Sequence, residues 1–178
     1  MIKICIVGPE ESKWKPEQIP KAKQTITDIL MKHYTEYDNY GQFEPELEVV
    51  LVSGHCPKKG VDIWAEEIAD VLRITKQIYA PEVYQWADSS TAKVYHREGV
   101  TKRLKGYRTR NIDMAKACDI VYCIVPKRYT SPDYEDVIFN KDLKCIHCKM
   151  AGHPTNGGCW TMKYAKKLGK EVHLVVIE

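Results

Sequence analysis

Residues 49–67 read VVLVSGHCPKKGVDIWAEE, a stretch that joins an apolar run, a glycine-bounded turn and the start of an amphipathic pattern. The run at 49–52 has the length and β-branched composition of a buried strand, and Ser53 and Gly54 end it. After Gly60, apolar residues recur at three- and four-residue steps, which is the spacing of a helix with one buried face. The stretch therefore predicts a strand, a turn and a helix, the repeating unit of a parallel sheet.

The same alternation continues on both sides of this unit. Further strands are predicted at 2–7, 77–80, 119–125 and 172–177, and helices at 16–37, 61–72, 98–116 and 158–168. Strands that alternate with amphipathic helices favour a parallel sheet covered on both faces. The expected fold class is α/β, a Rossmann-like three-layer α/β/α sandwich with a mostly parallel sheet of about five strands, which binds ligands at the carboxyl ends of its strands.

Length and composition narrow the class of protein. The 178 residues suit a single domain at 1–178, with an inserted loop at about 126–156. The net charge of +3 is too small for general nucleic-acid coating, so an anion site must come from local clustering. The first apolar run is too short for a signal peptide or a membrane span, and seven scattered cysteines suit a reducing compartment. A cytoplasmic protein with no membrane partner is expected.

Three cysteines and a histidine follow one another in the inserted loop and at the start of the last helix. Cys145, Cys148, His153 and Cys159 have the spacing C-x2-C-x4-H-x5-C, one residue longer than the zinc-knuckle pattern. Tetrahedral zinc takes four nitrogen or sulfur ligands, so the pattern predicts a structural zinc that braces the insert and has no open position for water. His147 is a competing ligand, and the alternative is a set of reduced, unrelated cysteines.

Two glycine turns precede predicted helices. Backbone N–H groups in the first turn of a helix, assisted by the helix dipole, bind phosphate. Lys58 and Lys59 would add positive charge at the first turn. The alternative is an ordinary strand-to-helix loop in which Asp62 only stabilises the helix dipole. The candidate ligand contacts in the two turns are Gly54, Gly60, Asp62, Gly157, Gly158 and Thr161.

A basic stretch lies between the two turns. Residues 93–116 carry eight lysines and arginines against two acids. Arg108, Arg110 and Asn111 come late in this stretch, where planar donors could reach a phosphate at the sheet edge. Helical spacing does not place both arginines on one face, so at most one or two of the three should face a ligand. The alternative is a solvated helix face.

Three segments in this order resemble the SLOG superfamily, the Rossmann-like group that contains the lonely-guy phosphoribohydrolases, DNA-processing protein A and small nucleotide-sensor domains. SGHCPKKGVDIWAEEIA resembles the family's SGG-x-x-GVD-x-x-AE element. RTRN before MAKACDIVYCIV resembles its RN-x-x-M helix and the strand after it. GGCWTMKYAKKLGKEV resembles its GGT-type turn, helix and closing strand. The likeness covers residues 48–125 and 156–177.

The resemblance implies a site for a nucleotide or an ADP-ribose-like ligand. The positions that it assigns to this site are Gly54, Gly60, Asp62, Arg110, Asn111, Gly157, Gly158 and Thr161. The chain departs from the hydrolase branch, whose second turn reads P-G-G-x-G-T-x-x-E. Trp160 replaces a glycine of that turn and Tyr164 replaces its acid. This departure argues against phosphoribohydrolase chemistry by that route.

Three hypotheses for function follow. The first is binding of a nucleotide-related small molecule beside a structural zinc. The second is a nucleoside monophosphate N-glycosidase or phosphohydrolase, which needs a carboxylate for acid–base work; Asp62 is the candidate, ahead of Glu66 and Asp88. The third is nucleic-acid binding through residues 93–116 and the knuckle-like zinc site. A homo-oligomer is compatible with all three.

Overall fold

The computed structural model describes residues 1–35, 48–84, 86, 94–97, 100–127, 144–150, 152 and 156–178. The strands are β1 (Ile2–Val7), β2 (Val49–Ser53), β3 (Thr75–Ile78), β4 (Val94–Arg97), β5 (Val100–Arg103), β6 (Ile120–Pro126) and β7 (Glu171–Ile177). The helices are α1 (Gln18–Thr35), α2 (Val61–Val71), α3 (Tyr107–Ala117) and α4 (Gly157–Lys167), with a short 3-10 helix at Glu11–Lys13.

Five of the strands form one parallel sheet in the order β3-β2-β1-β6-β7. β1 lies at its centre, where Ile4 pairs in register with Leu51 of β2 and with Ile120 of β6. From β1 the chain first adds β2 and β3 on one side of the sheet, and later adds β6 and β7 on the other side. The strand order therefore reverses beside β1, and ligands of such sheets bind next to this reversal. The predicted α/β Rossmann-like class is confirmed.

The two faces of the sheet carry separate apolar clusters. Ile4 and Ile6 of β1 pack in one cluster with residues of α1 and α2. Cys5 and Val7 point to the opposite face and pack in a second cluster with residues of α3 and α4. This alternation along β1 is the side-chain period of a strand buried on both faces, and it produces the three layers. The second cluster also holds the buried free thiols of Cys5, Cys118 and Cys123.

The predicted helix at 98–116 is wrong in its first half. Val100–Arg103 forms β5, which pairs antiparallel with β4, and α3 begins at Tyr107 after Gly106. Valine, threonine and tyrosine in this segment favour extended backbone, while its many lysines and arginines favour helix and concealed the strands. The basic stretch is therefore divided between a two-stranded ladder and a helix. β3 begins at Thr75 rather than at residue 77, and the other elements overlap their predicted ranges.

Loops that follow the central strands gather at the carboxyl edge of the sheet. The loop after β1, the turn between β2 and α2, and the first turn of α4 all reach this edge. Within the described residues, no helix combines the length and apolarity required to cross a membrane.

Candidate functional site

A cleft of about 320 Å³ opens at the carboxyl edge of the sheet. Its walls come from the loop after β1, the start of α2, the start of α3 and the first turn of α4, together with Trp86. The lining residues are Gly8, Pro9, Glu10, Lys13, Cys56, Lys58, Asp62, Trp86, Tyr107, Arg110, Asn111, Asn156, Gly157 and Gly158. The volume falls within the range of about 300–1,000 Å³ that is usual for small-molecule sites.

The floor of the cleft is a close contact between two glycine backbones. A Cβ on Gly158 would lie 2.9 Å from the Cα and N atoms of Gly8, and a Cβ on Gly8 would lie 2.4 Å from the carbonyl oxygen of Ile124. Gly60 has a φ of +95°, and its backbone packs against the loop after β1. Only glycine allows backbone contacts this close, because any other residue would place a Cβ atom in the contact. The three glycines therefore allow the loop after β1 to pack directly against the starts of α2 and α4.

Arg110 is the centre of a buried polar network. Its Nη1 donates to the carbonyl oxygen of Gly54 at 2.7 Å and to Oδ2 of Asp62 at 3.2 Å. Its Nε donates to Oδ1 of Asn111 at 2.9 Å. Burial raises the pKa of Asp62 above its ordinary value, and the Arg110 guanidinium acts in the opposite direction. The ion pair therefore joins α2 to α3 and is satisfied by the chain's own groups.

Two amide side chains fix the first turn of α4. Asn156 precedes the helix, and its Oδ1 accepts a hydrogen bond from the Cys159 N–H at 3.0 Å, so it is the N-cap residue. Nδ2 of Asn111 donates to the Gly157 carbonyl oxygen at 3.3 Å. The same carbonyl accepts a hydrogen bond from the hydroxyl of Thr161 at 2.8 Å. The buried side chains of Asn111 and Thr161 thus hold the turn through the Gly157 carbonyl group, and Gly157 and Gly158 line the cleft.

The structure brings together five of the residues that the resemblance assigned to the ligand. Asp62, Arg110, Asn111, Gly157 and Gly158 line the cleft. Gly54, Gly60 and Thr161 lie behind this lining and support it: Gly54 accepts from Arg110, Gly60 packs on the first loop, and Thr161 bonds within its helix. Arg108 is exposed and lies over the Trp160 ring, with 6.0 Å between the guanidinium carbon and the ring centroid.

Sequence reasoning missed several residues of the cleft. Glu10 lies in the loop after β1, and its carboxylate pairs with the Nζ atoms of Lys58 at 3.2 Å and of Lys13 at 3.7 Å. The position of this loop at a strand's carboxyl end was a signal for a site, but it did not single out these side chains. No periodicity marked Trp86 or Tyr107, because they reach the cleft through tertiary packing.

Glu66, the next carboxylate considered for acid–base work, is not part of the described cleft lining. Glu66 is buried in α2, where Oε1 accepts from the Ser53 hydroxyl at 2.6 Å and Oε2 lies 2.8 Å from Nδ1 of His55. Asp88 lies outside the described residues. Among the described residues, the carboxylates that line the cleft are Asp62 and Glu10.

Three of the predicted zinc ligands come together beneath α4. The Sγ atoms of Cys145, Cys148 and Cys159 all lie within 4.8 Å of one another. Zinc–thiolate bonds of about 2.3 Å place sulfurs of a tetrahedral site about 3.8 Å apart, so this cluster fits one metal ion. His153 lies outside the described residues.

The surroundings of the cluster contain further donors. Sγ of Cys123 lies 3.8 Å from Sγ of Cys159, and this neighbouring thiol raises the pKa of Cys159. Nδ1 of His147 is buried and has no hydrogen-bond partner within the described part of the chain. A metal would need the thiolate form of Cys159, so its binding would release a proton. His147 remains a competitor for the fourth ligand position.

The cysteine cluster and the cleft share one helical turn. Cys159 is the third residue of α4, directly after the two glycines that line the cleft. Its N–H is held by the cap residue Asn156, while its thiol belongs to the cluster. An ion held by the cluster would therefore anchor the turn that lines the cleft.

Comparison of the chain with protein-family models, with curated proteins and with solved structures finds no match. The function must therefore be argued from the geometry and chemistry of the cleft.

Proposed function

We propose that the chain is a SLOG-type domain that binds a nucleotide-related small molecule, a nucleotide or an ADP-ribose-like ligand, in the cleft at the carboxyl edge of the sheet. One observation carries the proposal. Two glycine backbones, Gly8 and Gly158, meet at the floor of a cleft that is bordered by lysine side chains and by the start of a helix. Backbone approach of this kind leaves room for a phosphate beside N–H groups.

The start of α4 is the proposed phosphate site. The N–H groups of Gly157 and Gly158 precede the first hydrogen-bonded amides of the helix, and no partner for them is found within the described residues. The first turn of α4 carries no acidic residue, so no carboxylate of its own offsets the helix dipole. A bound phosphate would satisfy both amides and the positive end of the dipole.

Two lysines of the cleft lining supply positive charge. Lys13 and Lys58 both pair with Glu10, and the Lys58 side chain is two-thirds exposed. An entering phosphate would compete with the Glu10 carboxylate for these cations. Arg110 has a different proposed role, because its guanidinium is already bonded to the chain and holds the walls of the cleft in place.

The proposed metal is a structural zinc bound by Cys145, Cys148, Cys159 and His153. Four protein ligands leave no position for an activated water, so the ion would do no chemistry. Its role would be to hold the inserted loop against α4 and to fix the turn that binds phosphate. The reduced thiols that this site requires suit the cytoplasm.

A nucleoside monophosphate N-glycosidase or phosphohydrolase is the second candidate. It is favoured by the two carboxylates in the cleft, Asp62 and Glu10. The pKa of Asp62 is raised by burial, as general acids require, although its pairing with Arg110 limits its freedom to move. The binding proposal ranks first because the described contacts of Asp62 are structural.

Isothermal titration with AMP, ATP and ADP-ribose tests the proposal. We expect binding at submillimolar ligand, and weaker binding by a Lys58→Ala variant, because a cation near the phosphate is lost. Lys167→Ala removes the same charge from the exposed far end of α4 and should bind like the wild type. Absence of heat with all three ligands at about 1 mM would refute the proposed function. Release of free base or inorganic phosphate during the titration would favour the hydrolase instead.

A further inference from the structure

Three aromatic side chains form a continuous surface beside the cleft, here called the aromatic wall: Trp86, Trp160 and Tyr164. The ring centroids of Trp86 and Trp160 are 5.2 Å apart with an angle of 86° between the rings. Trp160 and Tyr164 lie one helical turn apart on α4 and stack, with centroids 5.2 Å apart and rings 7° from parallel. These are favourable aromatic geometries, so each ring fixes its neighbour.

The aromatic wall borders the proposed phosphate site. Trp86 is itself part of the cleft lining, and a Cβ on Gly157 would lie 3.7 Å from its ring. Trp160 belongs to the same first turn of α4 as the two glycines. The amides that would hold a phosphate and the Trp86 ring therefore line the same cleft side by side, which suits a ligand that carries both a phosphate and an aromatic base.

Exposure separates the aromatic wall from the other rings near the cleft. Trp86 is 49% exposed. Burial of a large aromatic side chain is strongly favourable, so an exposed tryptophan ring is a surface that a ligand can cover. Tyr107, on another wall of the cleft, is stacked on Tyr84 and has the Arg110 guanidinium carbon 5.3 Å from its ring centroid. Intramolecular partners already cover Tyr107 in part, whereas half of the Trp86 surface remains open to a ligand.

Charge near the aromatic wall also suits a nucleotide. The Arg108 guanidinium carbon lies 6.0 Å from the centroid of the Trp160 ring, which is within the range of a cation–π contact. Planar cations and aromatic rings together are the usual surface for nucleobases, because every base has a stacking face. An apolar partner peptide would not need this charge or the glycine amides next to it.

We propose that the aromatic wall is the base subsite of the cleft: the nucleobase of a nucleoside 5′-phosphate stacks on the exposed part of Trp86 while its phosphate binds the Gly157 and Gly158 amides. This inference rests on the proposed function and adds to it the chemical class of the ligand, a nucleotide with an unblocked base. The base contributes affinity that a sugar phosphate lacks.

Titration with AMP and with ribose 5-phosphate, which differ by the base, tests the subsite. The wild-type protein should bind AMP about 10-fold more tightly than ribose 5-phosphate. In Trp86→Leu this ratio should fall towards one, with ribose 5-phosphate binding unchanged. AMP should also quench tryptophan fluorescence in the wild type and not in Trp86→Leu. Tyr84→Leu removes an exposed ring that does not line the cleft and should keep the wild-type ratio.

Each outcome of these titrations decides a different point. A ratio that stays near its wild-type value in Trp86→Leu overturns the base subsite, even if both ligands bind. Failure of the wild type to bind either ligand overturns the base subsite, and the proposed function falls with it only if ATP and ADP-ribose also fail to bind. Trp160→Leu is the second variant, and unchanged ribose 5-phosphate binding by either variant shows that its cleft is intact.

Discussion

The starts of α2 and α4 face the same cleft but are built in different ways. The first turn of α2 carries Asp62, whose carboxylate is buried and bonded to Arg110 of α3. The first turn of α4 carries two glycines and no acid. The first turn of α2 therefore carries a carboxylate that offsets its dipole, whereas the first turn of α4 carries none, and its two glycine amides have no partner among the described residues.

This difference separates residues that build the cleft from residues that would meet a ligand. A side chain with a strong internal partner contributes to stability, and its loss should be detected by unfolding. A backbone amide without a partner should instead affect binding. The motifs that resemble the SLOG superfamily contain residues of both kinds, such as Asp62 and Gly157. The sequence resemblance alone therefore could not distinguish their roles.

The largest expected effect is on stability, from loss of the buried ion pair. Asp62→Ala leaves the Arg110 guanidinium buried without its carboxylate, which should lower the free energy of unfolding by about 3–5 kcal/mol. Urea denaturation followed by circular dichroism measures this change. The matched control is Asp70→Ala in the same helix, which breaks a solvent-exposed pair with Lys76 and should cost about 1 kcal/mol or less. Equal costs for the two variants would contradict the proposed difference between the helix starts.

The second effect concerns the metal and its influence on α4. Purified wild-type protein should contain about one equivalent of zinc, and Cys148→Ser should contain less than about half an equivalent, because three ligands hold the ion poorly. AMP affinity should fall about tenfold in this variant, since the first turn of α4 loses its anchor. Elemental analysis and titration calorimetry measure the two quantities.

Matched histidine variants sharpen the metal prediction. His153→Ala should lose zinc as Cys148→Ser does, while His147→Ala should retain it. The opposite result would make His147 the fourth ligand, in agreement with its buried and unpartnered Nδ1. Wild-type protein that was never exposed to chelator and lacks zinc would contradict the metal site as a whole.

The smallest expected effect comes from the charges at the mouth of the cleft. Glu10→Gln removes the carboxylate that pairs with Lys13 and Lys58 and that would compete with a phosphate for the exposed Lys58 ammonium. AMP affinity should rise about two- to threefold at low salt and less at high salt, as for exposed pairs. Glu67→Gln, which breaks an exposed pair with Lys23, should leave the affinity unchanged. A fall in affinity would instead show that Glu10 itself contacts the ligand.

The sheet was predictable because its strands are continuous apolar runs that contrast with the amphipathic helices. Residues 49–53 are buried at every position, as expected for a mostly apolar run in a central parallel strand. Such a run can be recognised without knowing which strands pair with it. The ladder of β4 and β5 was not predictable in the same way. Its basic residues have high helix propensity, and pairing with a neighbouring strand decided the structure.

The glycine turns were predictable from their position after strands and before helices. The roles of the charged residues were not, because they depend on contacts between segments that are far apart in sequence. The resemblance implied that Arg110 contacts a ligand, but it gave no sign that the same side chain bonds to Gly54 and Asp62. Trp86 carried no signal at all, because only the folded chain brings it to the first turn of α4.

The contact between Gly8 and Gly158 has a consequence for the order in which the molecule assembles. The two glycines are 150 positions apart in the sequence, and β1 pairs with β6 across more than 110 residues of intervening chain. Contacts of such long range form late and slowly. During synthesis, the cleft would therefore be completed only when α4 docks beside β1, and a ligand could recognise the finished domain but none of its earlier intermediates.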